Sequence, residues 1–273
     1  MLTNRKTPSV PAVQRILDVL EVISQSKMGM TLSELAQELK LPKSSAHCLV
    51  LTLERRGYLY RNERTARYKF GLKLLELADL ALTGIPVRDQ AAAVMFALMQ
   101  TTGLAVHLAV LENREAVLIH KIEPRGSYRL ATWIGKRMEM HCTGVGKVFL
   151  AHFSETEQDQ FIAERGLPRH NEHTIVSVAR LKSHLEEVRA QGYALDDEED
   201  ELGYRCIGCP VFNAGRQVIA AISLAGDTDQ ITPNNFLSLM RELIKASASI
   251  TSTAAKEERF DAGPAPAPRS HVS

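Results

Sequence analysis

Asp196–Phe212 reads DDEEDELGYRCIGCPVF, and its thiols Cys206 and Cys209 have the C-x-x-C spacing of metal sites and redox dithiols. Read as a strand, the segment turns residues three apart to opposite faces, so the pair cannot grip one ion or close an easy disulfide. No second C-x-x-C is there, and no close Cys/His pair is expected, to complete a tetrahedral set. A nucleophilic thiol needs a basic partner and an orienting group, and no spacing singles out one of the nine histidines. The expectation is no metal, no cofactor and no catalytic residue. A ligand pocket is the remaining chemistry. Cys206, Gly208 and Pro210 share one strand face, and Ser223 and Ala225 share one face of the next strand, after the turn Asn213–Arg216. Small residues on paired strands leave room for a small molecule, or equally for a packed helix.

Gly144-Val145-Gly146-Lys147 looks like the end of a phosphate loop. The position six before Lys147 is not glycine, and Val148 stands where a magnesium-binding Ser/Thr belongs. Nucleotide binding is not expected. The segment still passes from a strand into a helix through small residues, and free N–H groups at a helix start suit an anion such as a carboxylate.

A third group of polar residues lies near the amino terminus. Lys43-Ser44-Ser45-Ala46-His47 places a cation and short donors at the start of a helical segment, and Arg61, Arg64, Arg67 and Lys69 follow in a hairpin-like stretch. Such donors meet phosphates and base edges when a helix enters the major groove.

The elements that position these groups follow from periodicity. PAVQRILDVLEVISQS puts Val13, Ile16, Leu17, Leu20 and Ile23 on one helical face behind Pro11. Thr31 and Glu34 form a capping box before a second helix, and PKSSAHCLVLTLERRG gives a third, from Pro42 to Gly57. YLYR and ARYKF flank the turn NERT as two short strands. Three helices, a tight second-to-third turn and a hairpin are the winged helix-turn-helix order. Charge agrees: residues 1–70 hold twelve Lys/Arg against six Asp/Glu, while the remainder is net acidic in a 273-residue chain of formal charge +1. Double-stranded DNA is the expected partner.

GLKLLELADLAL is an amphipathic linker helix, with Leu74, Leu75, Ala78 and Leu82 available to a partner subunit. From Leu104 onward LAVHLAVL, AVLIHKIE, SYRLATWIG and RMEMH read as strands. TGVGKVFLAHF, Ser154–Arg165 and Ser177–Gln191 read as helices; YALD, RCIGCPVF and QVIAAISLAG are strands, and a helix opened by Thr232-Pro233 closes the domain. This is an α+β chain, with an antiparallel sheet flanked by helices. The expected divisions are 8–70 for DNA binding, 71–85 for the linker, 86–254 for the second domain and 255–273 for a disordered tail ending GPAPAPRSHVS. No apolar run reaches membrane-span length and no secretory core follows the start, so a cytoplasmic protein with reduced thiols is expected.

VQRILDVLE, TLSELAQEL, LPKSSAHCLVLTLERRGYL and RYKFG resemble the amino-terminal half of the IclR family of bacterial transcriptional regulators. Gly192, Asp196, Glu199, Cys206-Ile207-Gly208 and Val211-Phe212-Asn213 resemble its second-domain signature, and HCTGVGKVFLA resembles its H-x-[ST]-G-x-G-K segment. The resemblance covers about residues 10–253. It implies a GAF-like effector domain, a homodimer or dimer of dimers, and a repressor or activator of a catabolic operon. It also implies that a small carboxylate or aromatic effector meets the amides of Gly144 and Val145, together with Asp196, Cys206 and Ser223, against the apolar wall of Leu130 and Met138. Two departures stand out. Ala225 replaces a second serine, and Cys48 stands where relatives often carry Arg. Trp133, with Met138 and Met140, is expected to make the pocket more apolar.

Overall fold

The computed structural model describes residues 10–125 and 131–261, and the chain divides into two compact units, Met1–Gly84 and Ile85–Ser273.

In the first unit α1 (Pro11–Ser24) begins on Pro11 and buries Val19 and Ile23, with Ile16 and Leu20 partly covered. Val13 and Leu17, expected in the same stripe, are exposed. β1 (Met30–Thr31) leads into α2 (Leu32–Glu38) through the expected capping box: Thr31 N–H donates to Glu34 Oε2 at 2.7 Å, and Glu34 N–H to Thr31 Oγ1 at 3.3 Å. α3 (Lys43–Arg55) turns Ala46, Val50 and Leu53 into the core, which leaves Lys43, Ser44 and His47 on its outer face. The wing is β2 (Leu59–Arg61) and β3 (Arg67–Phe70), joined by a turn in which Asn62 Oδ1 accepts from the N–H groups of Arg64 and Thr65. β1 adds a third strand, giving the order β1-β3-β2. Two residues are too short a run to read from periodicity. α4 (Lys73–Thr83) buries none of its side chains within its unit, and Leu75 and Leu80 stand open with Leu72 just before it.

The second unit holds a six-stranded antiparallel sheet, order β6-β5-β4-β9-β8-β7, built from β4 (Ala105–Glu112), β5 (Glu115–Ile122), β6 (Arg137–Met138), β7 (Ala194–Asp197), β8 (Tyr204–Phe212) and β9 (Val218–Asp227). α5 (Pro86–Thr102) and α9 (Phe236–Asp261) pack together on the sheet. α6 (Gly144–Ala151), α7 (Glu155–Arg165) and α8 (Val178–Gln191) form the other layer, whose core joins Val148, Phe149 and Leu150 to Leu181, Leu185 and Ala221.

The expected strand over SYRLATWIG does not form in its described part. Residues 131–135 are irregular, and Ser127–Leu130 lie outside the described residues. RMEMH shortens to the two residues of β6, because Met140 turns into the α6 core. α9 continues past Lys256 into the stretch expected to be disordered, since Ala-Ala-Lys-Glu-Glu-Arg are good helix formers and the first proline is Pro264. GPAPAPRSHVS lies outside the described residues.

Candidate functional site

The antiparallel register builds the site. Cys206 pairs with Ala225, and Gly208 with Ser223, so all four face the same layer. Ser223 also pairs with His107 on the neighbouring strand. Cys209 pairs with Ile222 on the opposite face, and its side chain is buried there. The C-x-x-C is therefore split across the sheet, as its spacing predicts.

α6 closes this face. Its start lies on β8 without intervening side chains: a Cβ on Gly208 would come within 2.6 Å of the Gly144 backbone, and one on Gly144 within 3.1 Å of Cys206 Sγ. Thr143 caps the helix, its Oγ1 accepting from Gly146 N–H at 3.1 Å. The Gly144 amide hydrogen-bonds the Cys206 sulfur.

A cavity opens between the sheet and the α6 start, where Met138, Thr143, Val145, Asp196, Cys206 and Ser223 come together. Leu130, expected in its wall, lies outside the described residues. Gly144 sits behind Cys206. Trp133 does not join the wall: it is 60% exposed, with Lys136 Nζ 5.4 Å from its ring centroid. Met140 packs into the α6 core instead. Ala225 does line the cavity, so the missing second serine leaves an apolar patch there.

Burial pushes the Asp196 carboxyl up to about 8, although Lys147 and the N–H of Glu199 pull the other way. Asp196 Oδ1 accepts from Glu199 N–H at 2.8 Å, which ties the acidic loop to the end of β7. Glu199 does not line this cavity. It pairs with the fully buried Lys147, whose ammonium also donates to the Leu195 carbonyl. The Lys of the phosphate-loop look-alike is thus occupied by an internal ion pair. Within the acidic run Asp197 is exposed, whereas half-buried Asp200 and exposed Glu201 both line the cavity.

Sequence reasoning missed His107 and Thr132. His107 is 3% exposed, and its Nε2 lies 3.3 Å from Thr132 Oγ1. Burial first, then Lys121 and Lys136, hold its ring down at about 4, so it is neutral at physiological pH. Only the β4–β9 pairing brings it beside Ser223. The Ser223 hydroxyl, fully buried against Cys206, lacks a regular hydrogen-bond partner among the described residues. Both thiols of the C-x-x-C are pushed up to about 12, Cys206 by burial and then by Asp196, Cys209 by burial alone.

The second candidate surface is the start of α3. Pro42 supplies no side-chain cap, so the first N–H groups stay open beside exposed Lys43, Ser44 and His47 and half-buried Ser45. Cys48 is exposed on the same helix. Arg61 and Arg64 are exposed on the wing. Arg67 differs: its guanidinium makes a bidentate pair with Glu34, both contacts 3.0 Å, and donates to the Gly29 carbonyl at 2.7 Å. The geometry gives it the task of fixing the wing to α2 rather than reaching outward.

The profile described as "Bacterial transcriptional regulator IclR C-terminal" matches residues 79–252, and the "IclR helix-turn-helix domain" profile matches residues 12–63. The transcriptional regulator XynR of Escherichia coli K12 is 32% identical over 244 residues, covering 89% of this chain and 97% of XynR. The transcriptional repressor IclR of the same organism is 31% identical, covering 90% of each chain. The crystal structure of the Thermotoga maritima IclR superposes with a TM-score of 0.76 at 27% identity, covering 90% of this chain and 99% of that one. Both halves of the sequence, and the helix-turn-helix and sheet that they build, place this chain in the IclR family of bacterial transcriptional regulators.

Proposed function

We propose that this regulator acts on a catabolic operon by sensing a small organic acid or aromatic effector in the cavity at the start of α6. The observation that carries the reading is the Ser223 hydroxyl, fully buried with only the weakly bonding Cys206 sulfur beside it, on a cavity wall that also carries Met138, Val145 and Ala225. A sulfur is a weak partner for a buried hydroxyl, so a ligand oxygen recovers part of the about 1–3 kcal/mol that an unsatisfied group costs. Thr143 and neutral His107 supply further hydrogen-bonding groups. The resulting site suits a compact molecule with one polar end and one apolar body.

On the DNA side, Lys43, Ser44, Ser45 and the open α3 amides meet phosphates, His47 meets a base edge, and Arg61 and Arg64 reach the flanking backbone. The exposed leucines of α4, with Val13 and Leu17, suit a second copy of the chain, so a homodimer or a pair of dimers reads paired half-sites. The C-x-x-C is given no catalytic part in this reading, since burial pushes both thiols up to about 12 and leaves them poor nucleophiles. Among the described residues no helix is long and apolar enough to cross a membrane. A cytoplasmic site of action fits a DNA partner. Coupling of about 1–3 kcal/mol between the sites gives a usable response.

The test is a thermal-shift panel of small organic acids and aromatic compounds on the full-length protein. A true effector at about 100 times its Kd adds about 2.7 kcal/mol and raises Tm. It also changes operator affinity in a mobility shift, and Ser223→Ala weakens its binding. A panel in which nothing raises Tm, or a hit indifferent to Ser223→Ala, sinks this reading.

A further inference from the structure

The thiol with the most metal-like surroundings is neither member of the C-x-x-C. His141 and Cys142 stand directly before the Thr143 cap, and His170 lies in the connection between α7 and α8. One potential ligand atom from each lies within 4.8 Å of the other two. His141 and Cys142 are almost wholly buried, at 1% and 0% exposure. Asp200 borders the group: its Oδ1 is 3.6 Å from Cys142 Sγ and 4.0 Å from His170 Nδ1.

The tautomer of His141 matters here. Its Nε2 lies 3.0 Å from the Pro168 carbonyl, which can only accept. The proton therefore sits on Nε2, and the Nδ1 lone pair stays available. Metal-bound imidazoles are held in this way, with the second nitrogen donating to a backbone carbonyl. Packing alone accounts for two tilted rings and a buried thiol. It does not account for two imidazoles and a thiol drawn together with a carboxylate beside two of them.

We propose that His141, Cys142 and His170 form a site for a zinc-like divalent cation, with Asp200, which borders two of them, drawn in as the fourth ligand. Two nitrogens, one sulfur and one oxygen are a borderline-soft set that favours Zn²⁺ over Mg²⁺ or Ca²⁺. Ligand-to-ligand edges in a tetrahedral zinc site are about 3.3–3.8 Å, so the three clustered groups close by shifts of about 1 Å. His170, the exposed member of the group, has the freedom to move. Binding converts the Cys142 thiol to a thiolate and releases one proton. The ion would join the residue before the α6 cap, the α7–α8 connection and the acidic loop. Because Asp200 also lines the effector cavity, the ion would brace one wall of it. The site does not depend on the effector reading.

Full-length protein, stripped with a chelator and kept reduced, is titrated with Co²⁺ and then Zn²⁺. The expected result is one Co²⁺ per chain, with a thiolate-to-cobalt charge-transfer band in the near ultraviolet that one equivalent of Zn²⁺ removes. Cys142→Ser abolishes the band. His170→Ala, at an exposed position that tolerates truncation, weakens Zn²⁺ binding by more than about tenfold with an unchanged circular dichroism spectrum. Cys48→Ser, which removes the exposed thiol, changes neither readout. No charge-transfer band in the parent protein, a band that survives Cys142→Ser, or one lost with Cys48→Ser overturns the proposal. If Cys142→Ser does not fold, the His170→Ala titration decides: unweakened Zn²⁺ binding there overturns it.

Discussion

Two helix starts serve the two halves of this protein, and they are built in opposite ways. α3 begins on a proline without a side-chain cap, and its first turn faces outward. α6 begins on a capping threonine, and all eight of its residues are buried. The lysine at the first, Lys43, leaves its charge exposed to solvent. The lysine at the second, Lys147, spends its charge on Glu199. A helix start acts as an open anion contact only where nothing inside the protein has already used its donors. The same physics gives a long-range, salt-sensitive grip on one side and a small, shape-dependent pocket on the other.

The sharpest way to break this contrast is at Lys147. Lys147→Ala leaves Glu199 buried without a counter-charge, and should cost the second unit about 3–5 kcal/mol in denaturant unfolding. Replacing both partners with apolar residues of similar size should recover most of that loss. If Lys147→Ala instead costs no more than a typical surface change, the sealed description of the α6 start is wrong.

Acid should act on the second unit next. His107 is held near 4 in the fold and titrates near 6.5 when unfolded. Above about pH 6.5 both states are neutral and nothing changes. Between about 6.5 and 4 only the unfolded state takes the proton, so stability falls by on the order of 3 kcal/mol and then levels off. Its removal in His107→Gln should flatten the pH–stability curve over that interval. An unchanged slope would show that the ring is not desolvated as described.

The smallest effects belong to the open side. Lys43→Ala and Arg64→Ala should each lower the slope of log affinity against log salt by about 1. Arg67→Ala should leave the slope alone and cost the first unit at most about 1 kcal/mol. Equal slope changes from Arg67→Ala and Lys43→Ala would erase the distinction between strut and contact.

The two sides also differed in how readable they were. The α3 surface follows from local order: a capping box, a tight turn, a buried Ala46 and the polar residues around it lie within one short stretch. Arg67 misled because its partner Glu34 is far away in sequence. The split of Cys206 from Cys209 needed only the period of a strand. The cavity needed register. His107 and Thr132 reach Ser223 through β4–β9 pairing and a side-chain contact, and neither is marked by spacing. Trp133 and Met140 looked like pocket residues because they are near Met138 in sequence, yet irregular backbone turns one outward and packs the other behind α6. Within the acidic run, Asp200 differs from its neighbours only by the loop that Asp196 and Glu199 pin down.

The contact of Gly144 with Gly208 has a consequence for how such a sensor can change its diet. Side chains at Met138, Ala225 or Ser223 can be exchanged one at a time, each resizing the cavity by a few atoms. The backbone seam beside them admits no such gradual step, because even a methyl group at Gly208 pushes the helix off the strand. If this cavity is the effector site proposed above, new preferences are to be written on its walls while the glycine seam stays bare.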